Sequence, residues 1–189
     1  EINNEGMDKK QSFKEGDRVV LEPLLSCGTC DPCKKGYDHV CENLKLSGVE
    51  ADGGFAEYFV APIERLYAIP SHITDQEAAL AEPLSVAVHA VNYSNPTKGD
   101  KAVILGAGPI GLLIGLALKA KGVQSVWISE IDDHRIALAE SLGLGVIDAK
   151  KEDPVKKILE VTDGKGCDIT FDAAGIAVVG GQIIPMTAI

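Results

Sequence analysis

The chain has 189 residues, 46% of them hydrophobic, and a formal charge of −10. That length holds one large domain or two small ones with a real core. A pI near 4.8 excludes nucleic acid or an anionic membrane as the main partner, since both need a basic surface.

No apolar run reaches membrane-spanning length, and Glu1 to Glu5 lacks the basic-then-apolar pattern of a secretory signal. The chain therefore reads as cytoplasmic. Residues 1–16 are polar. Phe13 to Asp17 forms a turn, and Arg18 to Leu21 a strand stopped at Pro23.

Next comes Cys27-Gly28-Thr29-Cys30-Asp31-Pro32-Cys33, with Cys41 seven residues beyond. Short loops carrying Gly28, Pro32 and Gly36 allow the sulfurs of Cys27, Cys30, Cys33 and Cys41 to converge. Four thiolates with no open position describe a structural zinc site. Such sites bind with roughly 10–16 kcal/mol in small peptides, enough to organise a loop with little core. Two disulfides, an iron–sulfur cluster and a redox CxxC compete with this reading. The lack of a secretory signal and the departure from the ferredoxin spacing favour zinc. His39, inside the loop, reads as a solvated or packing residue.

Gly53 to Val60 is a turn followed by a strand, and Arg65 to Pro70 a second short strand. Thr74 and Glu77 make a capping box that opens a helix. Ala81-Glu82-Pro83-Leu84-Ser85 interrupts it, because Pro83 disfavours helical geometry at Glu82 and can bend the chain there. Glu82 is either a metal or cofactor-site acid or an exposed glutamate at a helix break. His89, among Val86, Val88 and Val91, reads as a hydrogen-bonded core histidine. Asn92 to Gly99 is a turn-rich connector, which puts the domain boundary between residues 91 and 92.

The second half runs in βα order. The apolar stretch Val103 to Leu105 passes into Gly106-Ala107-Gly108-Pro109-Ile110-Gly111 and then a helix from Leu112 to Ala120. Strand, glycine turn and helix make a dinucleotide-binding unit. Gly106 allows the turn, Gly108 lets the backbone approach a pyrophosphate, and Gly111 lets helix and strand lie close. The helix N-terminus offers free N–H groups and a positive dipole end to phosphates. A second strand ends at Glu130, where an acid would hold the ribose hydroxyls. The competing reading is a glycine turn in another α/β domain with Glu130 merely solvated.

Asp132 or Asp133 caps the next helix, whose first turn holds Arg135, also a candidate cofactor contact. Val146-Ile147 is a short strand. Asp153 caps a helix with Pro154 at its first position. Cys167 to Asp172 is a further strand with Cys167 as a buried hydrophobe.

Together these residues resemble the zinc-dependent medium-chain alcohol dehydrogenases, nearest the polyol branch of butanediol, sorbitol and threonine dehydrogenases. The resemblance runs from Gly16-Asp17-Arg18-Val19-Val20 through the cysteine lobe, Gly53 to Tyr58, Glu82-Pro83-Leu84 and Gly106 to Gly111, ending near Ala173-Ala174-Gly175. It implies an α/β protein. Residues 1–91 would be a partial GroES-like catalytic domain, and residues 92–189 a Rossmann domain incomplete at its C-terminus. It implies NAD, a structural zinc on the four cysteines, and Glu82 beside a catalytic zinc that acts as a Lewis acid on an alcohol or polyol. It also implies a homodimer or homotetramer. Glu130 favours NAD over a 2′-phosphorylated cofactor.

Two departures follow. The family's other catalytic-zinc ligands come from an upstream Cys-Gly-x-Ser/Thr-Asp and a Gly-His-Glu segment, and neither is present. Beyond Gly175, Val178 to Gly181 arrives where a helix and then a strand are expected, too soon for a crossover helix. The chain thus reads as the central part of a secondary-alcohol or polyol dehydrogenase. A non-catalytic, zinc-stabilised nucleotide-binding or partner-binding module is the alternative. A zinc-finger nucleic-acid binder fits the cysteines but not the acidic balance.

Overall fold

A computed structural model describes residues 12–188. The chain divides into two compact units between Glu82 and Pro83.

The first unit is built from short elements. Strand β1 (Val19–Leu21) pairs antiparallel with β4 (Leu66–Ala68), and β2 (Leu24–Leu25) with β3 (Lys45–Leu46). Between β2 and β3 lies the cysteine lobe, with one helical turn, α1 (Asp31–Lys34), and a 3-10 turn, Asp38–Val40. Pro32 in the first turn of α1 costs little, because that N–H has no partner inside a helix. Thr74 and Glu77 do form a reciprocal capping box, on the short helix α2 (Asp75–Ala78).

Two expectations fail in this unit. Gly53 to Val60 is no strand: its backbone makes no ladder, and Phe55, Tyr58 and Val60 are almost fully exposed. A β-prone segment becomes a strand only against a partner, and none lies along it among the described residues. The helix break also falls before Glu82-Pro83 rather than at it. Helix α3 (Ala81–Ser94) starts two residues before Pro83 and holds it in its first turn, where a missing N–H is harmless. Helix geometry therefore reaches into the stretch read as a connector.

The second unit is a parallel sheet with helices between its strands. The strands are β5 (Lys101–Leu105), β6 (Ser125–Glu130), β7 (Gly145–Asp148) and β8 (Ile169–Asp172), in the order β7-β6-β5-β8. They are linked by α4 (Pro109–Ala120), α5 (Asp133–Ser141) and α6 (Pro154–Val161). Asp132 and Asp153 cap α5 and α6 by accepting backbone N–H bonds.

Ala102 to Leu105 are buried from water on both faces of the sheet, as a central parallel strand requires. One face packs Ile104 and Ile128 against Leu113 and Leu118. The other packs Val103, Leu105 and Ile147 against Ile158, Cys167 and Met186. Each such aliphatic side chain contributes roughly 1.5–3 kcal/mol.

The C-terminal stretch corrects a further expectation. Val178 to Gly180, where no crossover helix was expected to fit, lie in one helical turn, α7 (Ala177–Gly180), capped by Gly181 and followed by α8 (Ile183–Met186). Thr187 then meets Cys167 in a parallel bridge, with Ala188 N–H donating to the Cys167 carbonyl at 2.8 Å. A compact helical crossover does fit between Asp172 and Thr187, because it is made of two short turns rather than one full helix.

Candidate functional site

The order β7-β6-β5-β8 reverses direction at β5, and the carboxyl ends of β5 and β8 flank the crevice where an open parallel sheet binds ligands. The glycine-rich loop sits there. Gly106 has φ +100°, which disfavours any side chain, and a Cβ on it would lie 3.1 Å from the Cβ of Ala174 after β8. A Cβ on Gly111 would run into the carbonyl oxygen of Gly106, so helix and loop meet only because it is absent. Around Gly108 there is open space. Gly108 is also the N-cap of α4, which has no side-chain cap and no acid in its first turn. Pro109 fixes the first turn, followed by Ile110. The N-terminus of a twelve-residue helix therefore faces open space beside a bare backbone, the arrangement that receives phosphate.

Glu130 ends β6 beside this loop and is the only charged side chain that is buried among the described residues. Its Oε1 accepts the N–H groups of Ile131 at 2.7 Å and Asp132 at 3.0 Å. Its Oε2 accepts that of Ala107 at 2.8 Å. Burial opposes the charge, but the three N–H donors outweigh it and hold the carboxyl below the usual range. Arg135 reaches Oε2 at 3.8 Å from a half-exposed position on α5.

The four cysteine sulfurs all lie within 4.8 Å of one another, the single such group of His, Cys, Asp or Glu atoms among the described residues. Cys30 Sγ lies 3.3 Å from Cys33 Sγ and 3.8 Å from Cys41 Sγ. Tetrahedral zinc with Zn–S near 2.3 Å places its sulfurs about 3.8 Å apart, so the set fits the metal. Backbone N–H groups serve the sulfurs as they serve thiolates: Cys27 and Asn43 donate to Cys41 Sγ at 3.2 and 3.3 Å, and Cys30 donates to Cys27 Sγ at 3.4 Å. The Thr29 hydroxyl leads the donors that draw the Cys27 thiol down to about 5, whereas burial pushes Cys33 up to about 12. His39 is exposed, edge-on to Tyr37.

Glu82 lies exposed in the first turn of α3, and no group of three potential ligands includes it among the described residues. A catalytic zinc takes about three protein ligands, so these residues do not fit one. His89 is exposed, not in the core. The buried face of α3 carries Ala87 and Val91, one turn apart, and residue 89 points roughly opposite.

Two contributors were not legible in the sequence. Ala107 donates to Glu130 from 23 positions away. Arg65, at the end of the 3-10 turn Ile63–Arg65 before β4, binds Glu22 at 2.7 Å, Ser26 Oγ at 2.7 Å and Asp38 at 3.0 Å, tying that turn to both ends of the cysteine lobe. No motif announces such a fork. The only hint is an arginine opening a short strand.

The family model "Alcohol dehydrogenase GroES-like domain" matches residues 2–71, and "Zinc-binding dehydrogenase" matches residues 109–188. L-threonine 3-dehydrogenase of Pyrococcus horikoshii is 40% identical over 166 residues, covering 87% of this chain and 47% of its own. The crystal structure of 2R,3R-butanediol dehydrogenase from Bacillus subtilis superposes with TM-score 0.84 at 38% identity, over 94% of this chain and 50% of that one. A short chain alcohol dehydrogenase from E. coli CFT073, complexed with NADH, gives TM-score 0.82 at 32% identity, over 94% and 55%. The chain spans about half the length of the curated relatives it matches. No described helix is long and apolar enough to cross a membrane.

Proposed function

The chain belongs to the zinc-containing medium-chain alcohol dehydrogenase family, in its polyol and threonine dehydrogenase branch, and on that premise we propose its role: the structural-zinc lobe and nucleotide-binding part of an NAD-dependent dehydrogenase of secondary alcohols or polyols, butanediol among them. One observation carries the reading. A bare glycine loop at the switch point of a parallel sheet has a buried, ionised glutamate at its side. In this reading Gly106 and Gly111 shape the loop, and Gly108, Pro109 and Ile110 present the helix N-terminus to the pyrophosphate. Glu130 accepts a ribose hydroxyl and repels a 2′-phosphate, and Arg135 borders the adenosine side. The nicotinamide supplies the hydride chemistry.

Cys27, Cys30, Cys33 and Cys41 would hold a zinc that organises the lobe and takes no part in turnover. A reducing cytoplasm keeps those thiols available for metal. Glu82 is the acid of the family's Glu-Pro-Leu segment. No group of three potential ligands includes Glu82 among the described residues, so these residues do not fit a second, catalytic zinc. That same observation favours a second reading, in which this chain alone binds nucleotide without turnover.

Titration with NADH tests the proposal. Trp127, the single tryptophan, lies in β6 three residues before Glu130. Saturable quenching of its emission with sensitised NADH fluorescence is the expected result. A folded, zinc-loaded chain with no such signal would sink the reading. NAD-dependent oxidation of butanediol by this chain would sink the non-catalytic alternative.

A further inference from the structure

Glu130 spends its acceptors on the protein itself. Three backbone N–H groups reach its two oxygens, and only the Ala107 bond crosses from β6 to the glycine-rich loop. Ala107 lies between Gly106 and Gly108, the two residues with the greatest backbone freedom, and a loop so built needs something to hold it. The Gly106 N–H is already fixed by the Ser129 carbonyl at 2.8 Å, so Ala107 is the next point at which β6 can grip the loop. A charge-assisted bond from a buried acid is among the strongest available grips.

We propose that Glu130 is a positioning residue for the glycine-rich loop, fixing its shape through the Ala107 N–H before any nucleotide arrives. This rests on the nucleotide-binding reading and extends it: the acid that reads the ribose also builds the phosphate seat. A carboxylate offers about four acceptor positions, so with three taken by backbone, one stays open to a ribose hydroxyl. Cofactor selection and loop order then depend on the same side chain. Replacing Glu130 cannot exchange NAD for its 2′-phosphorylated counterpart without loosening the loop that both need.

The test is amide hydrogen exchange on the nucleotide-free 189-residue chain, alongside titrations with NADH and NADPH. The Ala107 amide is expected to be protected in the wild type. In E130S it should exchange at least tenfold faster, while Ile104 and Ile128 amides in the sheet stay protected. In E130D, one methylene shorter, Ala107 should lose protection while Ile131 and Asp132 keep theirs. E130S should bind NADH and NADPH at least tenfold more weakly. An unprotected Ala107 in the wild type would overturn the proposal. So would unchanged Ala107 exchange in both variants with the sheet intact, or an E130S that loses NADH but gains NADPH. A wild type that binds neither nucleotide overturns the nucleotide reading instead, and the exchange of Ala107 still decides the brace.

Discussion

Gly108 and Gly111 are three residues apart and answer opposite demands. At Gly111 an added methyl meets the Gly106 carbonyl oxygen, so Gly111→Ala must push helix α4 off the loop. Thermal unfolding should report a loss of about 1–3 kcal/mol, as overpacking typically costs, and NADH titration a loss of binding. At Gly108 nothing lies within 4 Å. Gly108→Ala should leave the melting temperature almost unchanged while weakening NADH at least tenfold, because the methyl takes the pyrophosphate's place. Glu130 adds a pH signature. Its folded carboxyl is below the usual range, so its stabilisation is complete above the unfolded value of about 4.3 and is lost as pH falls through the folded value. The stability difference between wild type and Glu130→Gln should therefore shrink on acidification, as melting curves from about pH 6 to about pH 3 would show. The loop glycines and Glu130 were legible in the sequence, because the chemistry fixes their spacing along one strand–turn–helix–strand run. The bond between Ala107 and Glu130 was not, since it depends on how two strand ends sit side by side.

Among the elements, misreadings share a cause. Gly53 to Val60 has the composition of a strand, but a strand is defined by its partner. Val178 to Gly181 comes too soon after Gly175 for a full crossover helix, yet tertiary packing fits two short helical turns into that stretch. Capped helices were read well, because Thr74, Asp132 and Asp153 carry their own local signal. The cysteine lobe was also legible, down to the four cysteines whose sulfurs converge. What braces it was not: Arg65, with its side chain only 15% exposed, joins Glu22, Ser26 and Asp38 through one planar fork. Ser26 precedes Cys27, and Asp38 opens the turn before Cys41. Arg65→Met should leave Glu22 and Asp38 without their cation and loosen both ends of the lobe. Zinc release to a chromogenic chelator should quicken by at least about tenfold, since even one lost hydrogen bond to a charged group is worth about 1.5–3 kcal/mol. Arg65→Lys should fall between, because an ammonium cannot reproduce the fork.

For the molecule as a whole, the acidic surface and the two compact units set the expectations. A charge of −10 gives the cysteine lobe no electrostatic footing on DNA, and a gel shift at low salt should show no retardation. The zinc lobe and the glycine loop belong to separate units, and each has its own local logic. The proposed role gives this chain one closed, structural metal site and a nucleotide seat, and among the described residues no group of three potential metal ligands includes Glu82. Elemental analysis of reduced, metal-replete protein, with its intact mass verified, tests this most directly. One zinc per chain is the expected result, released when the cysteines are alkylated. No zinc would contradict the four-cysteine site, and two would contradict a single closed metal site.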